Sequence, residues 1–174
     1  MNYAEIKYYD IANGLGVRTS LFVSGCSHRC PGCFNEIAWD FHYGKEFTRE
    51  TMEEILKSCE PGYIRGLSLL GGEPLEPVNQ RGLLPLVKAF KERFPRKDIW
   101  CYTGYTYETD LLAPDGRARC EVTDELLSCI DILVDGEFIQ AEADITLKFR
   151  GSRNQRVLDM KKSRAAGKAV LAEI

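Results

Sequence analysis

The spacing of apolar residues changes period several times along the chain, and each change marks an element. "SLFVSG" (Ser20–Gly25) is a short run of β-branched and aromatic character that predicts a buried strand. Beyond it, Met52, Ile55, Leu56 and Cys59 fall on one helical stripe behind Thr48, whose side chain can cap a helix. "GLSLL" (Gly66–Leu70) reads as the next strand and runs straight into "GGEPL" (Gly71–Leu75). Leu83, Leu86, Val87, Phe90 and Phe94 then return to helical spacing until Pro95 stops them. "DIWCYTG" (Asp98–Gly104) predicts a strand, Thr123–Ile130 a helix and "DILVDG" (Asp131–Gly136) a strand. From Glu137 to Met160 no helical period is visible, although a short strand fits Arg156–Asp159. The final "KKSRAAGKAVLAEI" is basic and then apolar; it leaves a terminal helix or a mobile tail open, and the tail is the reading adopted.

Strand, loop, helix, strand is the order of a mainly parallel α/β sheet covered by helices. Right-handed crossovers gather the strand-end loops at one edge of such a sheet. Cys26, Glu73, Thr103 and Asp135 are therefore expected to share that edge. No repeat or low-complexity linker interrupts the pattern, and 174 residues with 44% hydrophobic content suit one domain.

Charge narrows the partners. A net charge of -3 and a pI near 5.5 give no electrostatic footprint for nucleic acid. No segment has the roughly 20 apolar residues of a membrane span, and the first residues lack the apolar run of a signal peptide. The expected setting is cytoplasmic. In that reducing compartment seven cysteines argue against a disulfide framework.

Three of those cysteines lie within "GCSHRCPGCFN", Gly25 to Asn35. The spacing of Cys26, Cys30 and Cys33 lets one loop wrap three thiolates around a metal centre. Structural zinc normally takes four protein ligands, and Cys59, Cys101, Cys120 and Cys129 form no second C-x-x-C knuckle. A redox C-x-x-C pair, Cys30 with Cys33, would leave Cys26 and "GGEP" without a purpose. An iron-sulfur cluster on three cysteines uses all three and keeps one iron open to a further ligand.

The C-x3-C-x2-C pattern resembles the cluster motif of the radical S-adenosylmethionine (radical SAM) enzymes, and "GGEP" resembles the turn with which they hold the methionine amino group. Asp10 to Asp40 is similar to the opening of the glycyl radical enzyme activases. "CPGC", "YTGY" (Tyr102–Tyr105), "LVDGEF" (Leu133–Phe138) and "GSRNQR" (Gly151–Arg156) look most like the activases of anaerobic ribonucleoside-triphosphate reductase. The resemblance runs from about the N-terminus to Asp159. It implies a radical SAM activase domain over residues 1–160 and a C-terminal extension over 161–174. The implied cofactors are a 4Fe-4S cluster, with Cys26, Cys30 and Cys33 as its catalytic ligands, and S-adenosyl-L-methionine. The implied reaction is reductive cleavage to a 5'-deoxyadenosyl radical, which takes a hydrogen from a glycine of the reductase. Activation of another glycyl radical enzyme, such as pyruvate formate-lyase, is the alternative.

By the same resemblance Gly71 and Gly72 let backbone approach the methionine moiety and Glu73 accepts from its ammonium. Asn35 donates to the cofactor or orders the loop. Thr103 and Asp135 sit where related activases place ligands for the cofactor or a monovalent cation. Gly32 stands where many relatives have an aromatic residue near adenine, so Phe34 or backbone must serve instead. Leu15 replaces a common proline in a turn that Gly14 and Gly16 should preserve. Arg18 is read as structural, His28 as orienting or exposed, and the aromatics of "WCYTGY" as core. The chain lacks the added ferredoxin-like cysteine sets of longer activases, so the electron donor is external, flavodoxin or ferredoxin. A complete eightfold barrel takes about 250 residues. The expected fold is therefore an abbreviated, open (β/α) partial barrel whose gap admits the partner's glycine loop.

Overall fold

The computed structural model describes Met1–Ile174. Seven strands form one open sheet: β1 (Asn2–Asp10), β2 (Val17–Val23), β3 (Lys45–Glu46), β4 (Ile64–Gly71), β5 (Asp98–Tyr102), β6 (Ile132–Asp135) and β7 (Arg156–Asp159). Their spatial order is β3-β1-β2-β4-β5-β6-β7. The central run β2, β4, β5, β6 is parallel, and β1, β3 and β7 pair antiparallel at the flanks. The sheet does not close on itself, which matches an abbreviated α/β barrel.

Alternation along the strands decides what each face does. Leu21, Val23, Leu67, Leu69, Ile99, Cys101, Leu133 and Leu158 belong to the main core. Helices α1 (Arg49–Ser58) and α2 (Pro77–Arg93) contribute Ile55, Leu56, Leu83, Leu86, Val87 and Phe90 to it. Trp100, Val134 and Val157 project to the opposite face, where Tyr102 and Phe149 pack on them. That second face is largely without helices and lines the interior of the half-barrel.

Several sequence boundaries move. Thr48 caps α1 through a reciprocal capping box with Thr51. α2 starts at Pro77, before its apolar stripe, because proline suits a first turn that needs no N–H. Helix α3 (Thr123–Ser128) and a π-helical turn, Tyr107–Leu112, follow β5. Strands β1 and β3 carry no clear apolar alternation because they form the thinly covered edge of the sheet.

The loose-tail reading is corrected. Helix α4 (Met160–Ala166) follows β7, capped by the Asp159 side chain on the Lys162 N–H, and Gly167 ends it in the left-handed conformation at φ 66°. The chain then returns along β7, with Asp159 N–H to Val170 O at 2.9 Å and Ala172 N–H to Val157 O at 2.9 Å.

Candidate active site

The loop after β2 carries the three cysteines, and the "GGEP" turn follows its parallel neighbour β4. Register therefore sets them side by side: Val23 pairs with Gly71 at the end of the ladder. The turn presses directly on the loop. Gly72 N–H reaches Val23 O at 2.8 Å, Glu73 N–H reaches Gly25 O at 2.7 Å, and Gly25 N–H reaches Ala38 O at 2.7 Å. A Cβ on Gly72 would lie 2.6 Å from Gly25 O. Gly71 has φ +109°, and its Cβ would lie 2.6 Å from Val23 N. Gly71 thus admits the backbone at the end of β2, and Gly72 that of Gly25 and Ala38; both glycines also line the cavity where the methionine moiety is expected.

Side chains add further ties that the sequence did not reveal. Asn79 in the first turn of α2 donates its amide to Ser24 O at 3.0 Å and to Glu73 O at 2.9 Å. Glu76 Oε1 accepts from the Ser27 N–H at 2.8 Å and from its hydroxyl at 2.5 Å. Both side chains are nearly fully buried. The only prior signal was a polar residue on the inner face of a helix beside a turn.

Glu73 is the hub of the site. Its Oε1 lies 2.8 Å from His28 Nε2 and 2.7 Å from the Gly104 N–H. Its Oε2 accepts from the Leu75 N–H and the Thr103 hydroxyl, each at 2.8 Å. A carboxylate offers about four lone-pair positions, so all are taken. Glu73, expected as an acceptor for an ammonium group, here ties the site together through its carboxylate, and Thr103 is one of its donors; both residues line the cavity.

His28 is not exposed; its side chain is 2% accessible and contacts carboxylates at both ring nitrogens, Glu73 at 2.8 Å and Glu137 at 3.1 Å. Burial opposes its charge, but the hydrogen bonds and charges of Glu73 and Glu137 outweigh burial and raise its pKa above the ordinary value. The His28 ring also packs edge-on against Tyr105, 4.4 Å between centroids. It is the orienting residue of the cysteine loop.

Asp135 shares the edge but does not line the cavity. Its carboxylate takes the Arg156 guanidinium at 2.9 and 2.6 Å and the Tyr107 N–H at 2.8 Å. Through these bonds Asp135 anchors β7. Asn35 is not among the residues lining the cavity; its backbone N–H points to Cys33 Sγ at 3.4 Å. Arg18 is fully buried beneath the sheet end, as the structural reading expects. His42 is 95% exposed and partnered only by Asp40.

Cys26, Cys30 and Cys33 line one cavity of about 480 Å³ together with Gly71, Gly72 and Glu73. Tyr102, Thr103, Phe138 and Arg150 face them across it. No three cysteine, histidine or acidic side chains converge on a single-ion position. Burial, reinforced by the Glu73 charge and only partly offset by nearby amides, pushes the Cys26 thiol up to about 12. Burial and Glu137 raise Cys30 as well. Deprotonation of such thiols is favoured by a cationic centre between them. The donor set and the shared cavity thus fit an iron-sulfur group.

Residues 12–158 match the model of a family described as a 4Fe-4S single cluster domain. A Vibrio cholerae protein named anaerobic ribonucleoside-triphosphate reductase-activating protein is 44% identical over 157 residues, 89% of this chain and 96% of that protein. Proteins of the same name from Haemophilus influenzae and Escherichia coli K12 are 43% and 42% identical, over 89% and 90% of this chain and 96% and 97% of their own lengths. The chain belongs to the anaerobic ribonucleoside-triphosphate reductase-activating protein family. The family-model match spans the cysteine loop, the "GGEP" turn, "YTGY" and "LVDGEF", and ends inside β7. As a member of this family the chain is identified as a radical SAM enzyme with a 4Fe-4S cluster. No helix is long and apolar enough to cross a membrane.

Proposed function

We propose that the chain activates an anaerobic ribonucleoside-triphosphate reductase by generating its glycyl radical. The observation that carries the reading is the cavity lined both by three thiols and by the "GGEP" turn, whose backbone bonds to Val23 and Gly25 just before the first cysteine. Cys26, Cys30 and Cys33 would hold the 4Fe-4S cluster. With S-adenosylmethionine bound, that cluster would supply the one-electron carbon-sulfur cleavage that makes a hydrogen-abstracting radical available to a glycine of the partner. The chain's own residues do the positioning. Glu73, His28 and Thr103 keep the "GGEP" turn and cysteine loop in register. Gly71 and Gly72 keep the two backbones close. Phe34, 89% exposed and packed on Phe138 at 5.6 Å, extends an apolar wall for adenine. Asn35 orders the loop beyond Cys33, and Asp135 acts at one remove by fixing Arg156.

The open sheet edge leaves room for a glycine loop of the partner. Electrons come from an external one-electron donor such as flavodoxin or ferredoxin, in a cytoplasmic setting. Residues 1–160 carry the chemistry, and 161–174 brace β7.

The test is anaerobic purification, reconstitution with iron and sulfide, reduction, and assay of 5'-deoxyadenosine from S-adenosylmethionine. Cleavage that disappears in Cys30→Ala, with a glycyl radical signal on the reductase and none on pyruvate formate-lyase, is the expected result. Stoichiometric zinc in natively purified protein, without cleavage, would overturn the reading in favour of a structural module.

A further inference from the structure

The buried Trp39 Nε1, Tyr102 hydroxyl and Arg150 Nε have no hydrogen-bond partner, and all three residues line the cavity. Buried polar groups are so regularly paired that orphans sharing one cavity point to a ligand. Indole and guanidinium N–H groups can only donate. Burial raises the Tyr102 phenol above its ordinary pKa despite the nearby Arg18 charge, so its hydroxyl also stays available as a donor. The missing group must therefore present acceptors.

Arg150 narrows its chemistry. Its Nε is buried and unpartnered. None of the ion pairs of the chain includes its guanidinium, while Arg117, Arg119 and Arg156 all have carboxylate partners. Three carboxylates that touch the cysteine loop are already engaged, Glu73 by four donors, Glu76 by Ser27 and Glu137 by His28. An arginine whose Nε is buried and unpartnered on a cavity wall suits a carboxylate, which its planar fork can bind through two bonds.

The segment around Arg150 is held on both sides. Phe149 has φ 60°, an uncommon conformation for a bulky residue, and its ring packs on Trp100 at 5.0 Å. On the other side Gln155 Oε1 accepts from the Gly151 and Ser152 N–H groups at 2.8 and 3.1 Å, and Gln155 Nε2 reaches Gly136 O at 2.9 Å. Asn154 ties Glu137 O at 2.7 Å. The "GSRNQR" motif thus builds the platform that follows Arg150.

We propose that Arg150, with the Tyr102 hydroxyl in the same cavity wall, recognises the carboxylate of S-adenosylmethionine. The assignment rests on the activase reading, since the carboxylate is the only anionic group of that cofactor. Arg150 acts as a specificity residue: it distinguishes an amino-acid-bearing sulfonium from one that lacks the carboxylate.

The experiment measures binding to the reconstituted, unreduced holoenzyme, in which no cleavage competes. Equilibrium dialysis compares S-adenosylmethionine with decarboxylated S-adenosylmethionine for wild type, Arg150→Gln, Arg150→Lys and Tyr102→Phe. Arg150→Gln is expected to weaken S-adenosylmethionine about tenfold to a hundredfold while changing the decarboxylated ligand less than about twofold. Arg150→Lys should recover part of the loss, and Tyr102→Phe should show a smaller loss confined to the same ligand. Iron content and thermal midpoint confirm that each variant is loaded and folded. Should Arg150→Gln fail to load, the Lys and Phe variants decide by the same ligand comparison. Equal losses for both ligands, unchanged binding, or a defect seen only in binding the reductase would overturn the assignment. Failure of the wild type to bind S-adenosylmethionine would refute the activase reading itself, before any variant is compared.

Discussion

Replacing Gly72 by alanine should separate the two loops on which the site depends. The added Cβ would lie 2.6 Å from Gly25 O and 2.8 Å from Ala38 O, where ordinary contact begins at 3.4 Å. Both obstacles are backbone, so neither can rotate away. Relief requires the turn to move by about 0.8 Å. That motion stretches the Glu73 N–H to Gly25 O bond from 2.7 Å to about 3.5 Å, the limit of useful geometry. Overpacking costs about 1–3 kcal/mol, and one weakened buried hydrogen bond adds about 1 kcal/mol. The expected loss is about 2–4 kcal/mol. Urea unfolding of the metal-free protein measures it; with a slope near 2 kcal/mol per molar, the midpoint should fall by about 1–2 M. Reconstituted iron content should fall in parallel. Gly62→Ala is the control, because nothing lies within 4 Å of its added Cβ. A Gly72→Ala midpoint equal to that of Gly62→Ala would refute the close-approach argument.

Two more changes test the frame around the site. Arg18→Met removes bonds to Ser68 Oγ at 2.7 Å, Leu15 O at 2.9 Å and Leu67 O at 3.0 Å, and a 2.6 Å ion pair with Asp98. Urea unfolding should show a loss of about 3 kcal/mol, the low end for a broken buried pair because the Asp98 side chain is 28% exposed. A loss under about 1 kcal/mol would match a surface pair and contradict the burial argument. Truncation after Gly167 removes the acceptor of the Asp159 N–H and the residues paired along β7. It should lower stability by about 1–3 kcal/mol and abolish hydrogen-exchange protection at the Asp159 amide. Unchanged exchange there would mean that the last residues are free of the sheet.

Local pattern alone determined the alternating elements, the helix cap at Thr48, the short strand at Arg156–Asp159 and the grouping of three cysteines beside a glycine turn. These features depend on neighbours in sequence: side-chain period, capping chemistry and the positions of glycine and proline. Edge strands β1 and β3 and the docked C-terminal residues were not legible, because their stability comes from partners distant in sequence rather than from their own periodicity. The same reason separates identity from role within the site. Predicted strand ends and the family resemblance singled out Glu73, Thr103 and Asp135, but only tertiary structure decided what their oxygens face. Glu73 is saturated by four donors, Thr103 is one of them, and Asp135 is spent on Arg156. Conversely, His28, Glu76, Asn79 and Arg150 became interpretable only when the chain folded. A buried polar group's function is fixed by which partners it has, or lacks, and those partners are assembled by the sheet rather than by the adjacent sequence.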